Sequence, residues 1–143
     1  MPHTPMAHRP MNILLVDDDA VDVMTTRRAF QKANPTLPMW TAGDGVEALE
    51  QLRSDALPPA NRVVLLDLNM PRMNGIEFLR ELRKDPELHG TAVVVLTTSD
   101  EERDRLEAYN FHVAGYLVKP VRFQAFVELM TTLNRYWMLM EMA

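Results

Sequence analysis

Short unbroken apolar runs alternate along the chain with longer stretches in which apolar residues recur every three or four positions. Three runs are strong: Ile13-Leu14-Leu15-Val16, Val63-Val64-Leu65-Leu66 and Ala92-Val93-Val94-Val95-Leu96. Runs of this length, rich in β-branched residues, read as strands buried on both faces of a parallel sheet. Two weaker runs complete the set, over residues 37–42 and 113–118. The first of these holds Pro38, which cannot donate to a ladder and so predicts a strand at the sheet edge.

The intervening stretches read as helices with recognisable ends. Asp19 is placed to cap the first, which carries Thr26, Ala29, Phe30 and Ala33 at core spacing and stops at Asn34-Pro35. Asp44, in a Gly43-Asp44-Gly45 turn, caps a second helix bearing Ala48, Leu49 and Leu52; Pro58-Pro59 ends that unit. A third helix presents Phe78, Leu79 and Leu82 and closes at Asp85-Pro86. Ser99 followed by Glu102 predicts a capping box for the fourth, with Asn110 as a left-handed cap at its far end. The last helix is predicted from about Arg122 to Trp137. Regular strand–helix alternation implies a parallel sheet with helices on both faces and right-handed crossovers.

Composition narrows the classes of function. The chain has 143 residues, 47% of them hydrophobic, which is enough for one domain with a real core. No stretch approaches the about 20 apolar residues of a membrane span. Residues 1–11 are polar, with prolines and no apolar centre, and read as a loose tail rather than a secretory signal. The absence of cysteine excludes disulfides, thiolate metal sites and a cysteine nucleophile, and fits a cytoplasmic protein. A net charge of -5 argues against nucleic acid as a general partner.

Parallel strands deliver their carboxyl ends to one rim, where open α/β sheets bind ligands. That rim collects Asp17 and Asp18 after the first strand, Asp67 after the third, Thr97 after the fourth and Lys119 after the fifth. Crowded carboxylates repel unless a cation joins them, and hard oxygen ligands favour Mg2+. A hydroxyl and an ammonium suit a phosphoryl group, and a carboxylate is a competent nucleophile for it. The chemistry read from the rim is Mg2+-assisted phosphorylation of one aspartate. Each feature taken singly has a plainer reading: an acidic loop is usually a solvated helix start, and a lysine before proline is usually at the surface. Asp22 and Asp104 fall outside the pattern and read as solvated helix charges.

In order and spacing, Val16-Asp17-Asp18, Asp67 with Met70-Pro71 and Gly75, Thr97, and Tyr116-Leu117-Val118-Lys119-Pro120 resemble the receiver domain of two-component response regulators. The likeness covers nearly everything but the tails, which sets an expected domain over 12–137 with an extension over 138–143. It implies a flavodoxin-like doubly wound fold with strand order 2-1-3-4-5. It also implies that Asp67 is the phosphoacceptor, that Asp18 and the Asn69 carbonyl bind Mg2+ with it, and that Asp17 supports the ion through water. Lys119 would pair with phosphoryl oxygens, Thr97 and Tyr116 would form a switch pair, and Lys119-Pro120 would be a cis peptide bond. In that switch, phosphoryl transfer draws in the Thr97 hydroxyl, and Tyr116 turns into the space it leaves. Such a protein is not an enzyme in the usual sense, although it assists its own phosphorylation and dephosphorylation.

None of His3, His8, His89 and His112 lies in a helical setting suited to a kinase phosphohistidine, and no Gly-rich nucleotide loop is present. The phosphodonor is therefore expected to be another protein, a sensor histidine kinase. A narrower resemblance is to the small stand-alone regulators of bacterial phytochromes. It is carried by Asn34-Pro35-Thr36-Leu37-Pro38, Asp22-Val23, Leu96-Thr97-Thr98-Ser99, Tyr109-Asn110 and Tyr136-Trp137, and implies a bacteriophytochrome as that kinase. Asp19 and Ala20 depart from that group, which often has Asn and Pro there. No DNA-binding segment follows the last helix in the sequence, so output by protein contact is expected.

The last helix carries two apolar stripes: Phe123, Phe126, Val127, Met130 and Trp137, and Ala125, Leu129, Leu133, Tyr136 and Met140. One stripe packs on a sheet; a second predicts a homodimer through the helix-five and strand-five region, unless residues 138–142 cover it. Two other functions share parts of the pattern. A flavodoxin-like FMN binder needs a Ser/Thr-rich phosphate loop where Asp17-Asp18-Asp19 stands. A phosphatase of the haloacid-dehalogenase type needs a second aspartate where Asn69 stands.

Overall fold

The computed structural model describes residues 11–139, the side chains of residues 33, 138 and 139 excepted. Five strands, β1 (Asn12–Val16), β2 (Met39–Ala42), β3 (Arg62–Leu66), β4 (Ala92–Thr97) and β5 (Gly115–Val118), alternate with five helices. These are α1 (Ala20–Ala33), α2 (Gly45–Arg53), α3 (Gly75–Lys84), α4 (Glu102–Asn110) and α5 (Phe123–Leu139). The sheet is parallel throughout, in the order β2-β1-β3-β4-β5. This is the doubly wound, flavodoxin-like topology, with β2 and its preceding Pro38 at an edge. Of the expected tail and extension, residues 1–10 and 140–143 lie outside the described residues.

Side chains alternate across each strand, so one run feeds two cores. Leu14, Val16, Val64, Leu66, Val93 and Val95 face Leu49, Leu52, Phe78, Leu79 and Leu82 of α2 and α3. Ile13, Leu15, Val63, Leu65, Val94 and Leu96 face Phe30 of α1 and Phe126, Met130 and Trp137 of α5. Phe30 and Trp137 stack with ring centroids 5.9 Å apart, fixing α1 against α5. Phe123, expected in the buried stripe of α5, is instead exposed; it is the first residue of the helix, a full turn short of the next stripe residues, Phe126 and Val127. In the second stripe Leu129 and Leu133 pack at the margin of the same core, while Tyr136 is exposed. Met140 lies outside the described residues.

Local caps decide several helix starts. Asp19 accepts from the amides of Val21 and Asp22, Asp44 accepts from Glu47, and Asn74 forms a capping box with Glu77. The expected box at α4 does not form: Glu101 is the N-cap and makes no side-chain cap bond. The Ser99 hydroxyl donates to Asp104 Oδ2 at 2.6 Å instead, a partner two residues beyond the one the box requires. Nor is Asn110 the left-handed residue; it ends the helix, and His112 has φ 59°. A distant side chain sets that turn. Arg83 donates to the carbonyls of Phe111 at 2.7 Å and His112 at 3.2 Å, and also to those of His89 and Thr91.

All described peptide bonds are trans, Lys119-Pro120 included, contrary to the cis bond implied by resemblance. Trans is favoured before proline by about 0.5–1 kcal/mol. Lys119 reaches its partners from that conformation, with its amide donating to Thr97 O at 2.7 Å.

Candidate functional site

Strand register aligns the chain ends that carry the chemistry. Val16 pairs with Leu66, and Thr97 with Val118, so Asp17, Asp67 and Lys119 leave the sheet together. Backbone bonds continue one step past the strands: Asp17 N donates to Ala42 O at 3.0 Å, and Asp67 N donates to Val16 O at 2.9 Å. Ladder bonds therefore hold the acidic residues from beneath, and only their side chains project into the rim.

Asp67 is buried, with 8% of its surface exposed, and both carboxylate oxygens are engaged. Oδ1 accepts from Thr97 Oγ1 at 2.8 Å and from the Asn69 amide at 3.2 Å. Oδ2 accepts from Lys119 Nζ at 3.3 Å. Tyr116 is half-buried against the core, and its hydroxyl donates to Ser99 O at 2.8 Å.

Lys119 is the only cation at the centre of this cluster among the described residues. Its Nζ donates to Asp17 Oδ2 at 2.6 Å and to Asp22 Oδ2 at 2.8 Å, as well as to Asp67. Burial works against the charged ammonium, but hydrogen bonds to Asp17 and Asp22 and the charge of Asp67 outweigh it and hold its pKa well above the usual lysine range. Burial pushes the Asp17 carboxyl up to about 6 against the pull of Lys119 and the Asp19 amide. Asp22 was expected to be a solvated charge; it joins the site because α1 turns its third residue back over the strand ends. Asp104 likewise has a partner, in Ser99.

Asp17, Asp18 and Asp67 bring one carboxylate oxygen each within 4.8 Å of one another. Asp17, Asp22 and Asp67 share one ammonium, and Asp18 adds a fourth carboxylate beside Asp17 and Asp67. That excess of negative charge, offered entirely through hard oxygens, fits a divalent cation. Asn69 is exposed beside Asp67.

The loop after Asp67 is pinned from two sides. Gly75 opens α3 where a Cβ would lie 2.7 Å from Asp67 O and from Leu68 Cα, so no larger residue fits without moving the acceptor's own backbone. Arg72 adopts φ 59° and pairs with Asp44 at 2.6 Å, while Gly45 N donates to Met73 O at 3.0 Å. Sequence reasoning missed Asp22, Arg72 and the second role of Asp44. The one available signal was the position of Asp22, three residues after the Asp19 cap, where a carboxylate sits on the first turn.

Comparison with known proteins agrees with this geometry. Residues 13–131 match the response regulator receiver domain. The chain is 36% identical over 137 residues, covering 92% of it and 86% of the relative, to a probable methanogenesis regulatory protein, FilR2, of Methanothrix harundinacea. A crystal structure of the phosphorylated cyanobacterial phytochrome response regulator RcpA superposes with a TM-score of 0.80 at 33% identity, covering 92% of this chain and 96% of that one. The Mn2+-bound form of response regulator Rcp1 gives 0.81 at 29%, covering 94% and 100%. The protein is thus a member of the receiver-domain family of two-component response regulators, a family of signalling rather than metabolic proteins whose phosphoryl donors are histidine kinases.

Proposed function

We propose that this protein accepts a phosphoryl group on Asp67 from a histidine kinase and passes the signal on by protein contact. One observation carries the reading: a buried carboxylate lies within hydrogen-bonding distance of both a hydroxyl, Thr97, and an ammonium, Lys119, with Asp17 and Asp18 beside it. In the transfer, a carboxylate oxygen of Asp67 attacks the phosphorus of a phosphohistidine. An O–P bond forms, the P–N bond breaks, and the bonding pair leaves on the imidazole nitrogen. Lys119 and Thr97 are aimed at the oxygens of the group as charge accumulates there.

Asp18 and Asp67, with the Asn69 carbonyl and with Asp17 through water, would hold Mg2+. When bound, the ion neutralises the acidic pocket and the incoming phosphoryl charge. Thr97 and Tyr116 form the switch: Thr97 and Ser99 join the acceptor to Tyr116 and α4 through consecutive hydrogen bonds. Thr97 starts in contact with the Asp67 carboxylate; a phosphoryl group there would draw its hydroxyl on to the new oxygens, with Tyr116 turning into the space it leaves. A phosphatase reading fares worse, because Asn69 offers no acid for a leaving group.

The kinase we infer is a bacteriophytochrome, supported by the likeness to RcpA and Rcp1, and the setting is the cytoplasm. No helix of the described residues is long and apolar enough to cross a membrane. A homodimer through α5 and β5 is supported by exposed Tyr136, Phe123 and Val118 along that edge. Light scattering on the eluting protein tests it: a monomer at high micromolar concentration rejects it.

For the central reading, the wild type incubated with Mg2+ and a small phosphodonor should take up one phosphoryl group per chain, and Asp67→Asn none. Stoichiometric labelling of that variant would overturn the assignment.

A further inference from the structure

Asp22 stands outside the set of site residues implied by resemblance, yet its contact with Lys119, at 2.8 Å, is shorter than the 3.3 Å from the same ammonium to Asp67. We propose that Asp22 is a positioning residue that holds the Lys119 ammonium back from Asp67 before phosphoryl transfer and releases it to the phosphoryl oxygens afterwards. The proposal rests on the reading of Asp67 as phosphoacceptor.

An ammonium has three N–H donors and no more. Asp17, Asp22 and Asp67 use all three. A phosphoryl group on Asp67 offers several strongly accepting oxygens in place of the one carboxylate oxygen held at 3.3 Å, so the ammonium can engage more than one of them only if Asp17 or Asp22 lets go. The Asp17 side chain is 3% exposed, and stripping it of Lys119 leaves an uncompensated buried charge. The Asp22 side chain is 33% exposed, so water replaces the lost donor. Asp22 also occupies the first turn of α1, where the helix dipole favours a carboxylate whether or not Lys119 is present. Asp22 is therefore the partner released at least cost. Before transfer, the same contact keeps the cation weighted toward Asp17 and Asp22, which leaves the attacking carboxylate less neutralised and more nucleophilic. Asp22 also repels the phosphoryl group directly, and the test has to separate that effect from the effect through Lys119.

Beryllium trifluoride, which occupies the place of a phosphoryl group on a carboxylate, is the probe, with Mg2+ saturating. Asp22→Asn is expected to bind it about tenfold more tightly than the wild type, on the scale of one hydrogen bond to a charged group. In a Lys119→Gln background the same substitution is expected to change affinity less than about twofold, since a cycle of this kind isolates the pairwise effect. A second measurement leaves Lys119 intact. The 15N signal of its ammonium should shift when wild type binds the trifluoride, and in Asp22→Asn it should already lie toward the bound position. An unchanged affinity and signal in Asp22→Asn overturns the proposal, as does an equal gain in the Lys119→Gln background. Failure of the wild type to bind the trifluoride at all instead removes the reading of Asp67 on which the proposal stands.

Discussion

The rim around Asp67 and the α4–β5 edge lie on one sheet but are built differently. At the rim, Asp17, Asp67, Thr97 and Lys119 are all buried, and each makes at least one hydrogen bond to another of them. At the edge, α4 contributes only Ala108 to the buried residues, starts without a side-chain cap, and leaves Leu106 and Tyr109 exposed. Strand β5 is only half-buried, against the fully buried β1. Chemistry needs atoms held in place before the reaction, and ladder bonds and buried ion pairs supply that. A signalling surface needs an element that moves at little cost, and few buried contacts supply that. The two regions meet at Ser99, whose carbonyl accepts from Tyr116 and whose hydroxyl reaches Asp104 on α4.

Rim and edge should respond differently to substitution. Beyond the loss of labelling in Asp67→Asn, the largest effect is expected from Lys119→Gln, which leaves Asp17 and Asp67 buried without their cation. Breaking a buried pair in this way costs about 3–5 kcal/mol, read from urea unfolding in the absence of divalent ions. Mg2+ at 100 times its dissociation constant should return about 2.7 kcal/mol. A loss below about 1 kcal/mol in the metal-free protein would mean that the rim is not held by charge.

Gly75→Ala comes next. Its Cβ meets backbone rather than a side chain that could swing away, at 2.7 Å from Asp67 O. A cost of about 1–3 kcal/mol is expected, together with slower phosphorylation because Asp67 moves with its carbonyl. Normal labelling in a destabilised Gly75→Ala would separate the loop from the acceptor and weaken the account of why glycine stands there.

At the edge the effects should shrink. Tyr116→Phe removes the donor to Ser99 O, with an expected cost of about 1 kcal/mol by thermal or urea unfolding, and should weaken the response to phosphorylation more than phosphorylation itself. Leu106→Ser, on the exposed face of α4, should shift stability by no more than about 0.5 kcal/mol while weakening association with a partner or a second copy. If Leu106→Ser unfolds the protein as readily as Gly75→Ala does, the edge is packed as tightly as the rim.

What the chain determines by itself is largely a matter of period and position. Unbroken apolar runs specify β1, β3 and β4, and the residue after such a run is obliged to sit on the rim whatever its neighbours do. Asp17, Asp67 and Thr97 are legible for that reason, and Lys119 from its place at the end of the weaker fifth run; the caps at Asp19 and Asp44 are legible because they depend on atoms two or three residues away. The rest needed the tertiary structure, because it depends on long or charged side chains choosing among partners far apart in sequence. Lys119 reaches Asp22 across 97 positions, Arg83 sets the turn at His112 from 29 positions away, and Arg72 finds Asp44 from 28. The Ser99–Glu102 box lost to a contact with Asp104, two residues farther on, that no local pattern ranks above it. Strand periodicity settles which residues arrive at the site; the packing of helices over the strand ends decides which of them share the ammonium, since that turns on distances the linear chain does not contain.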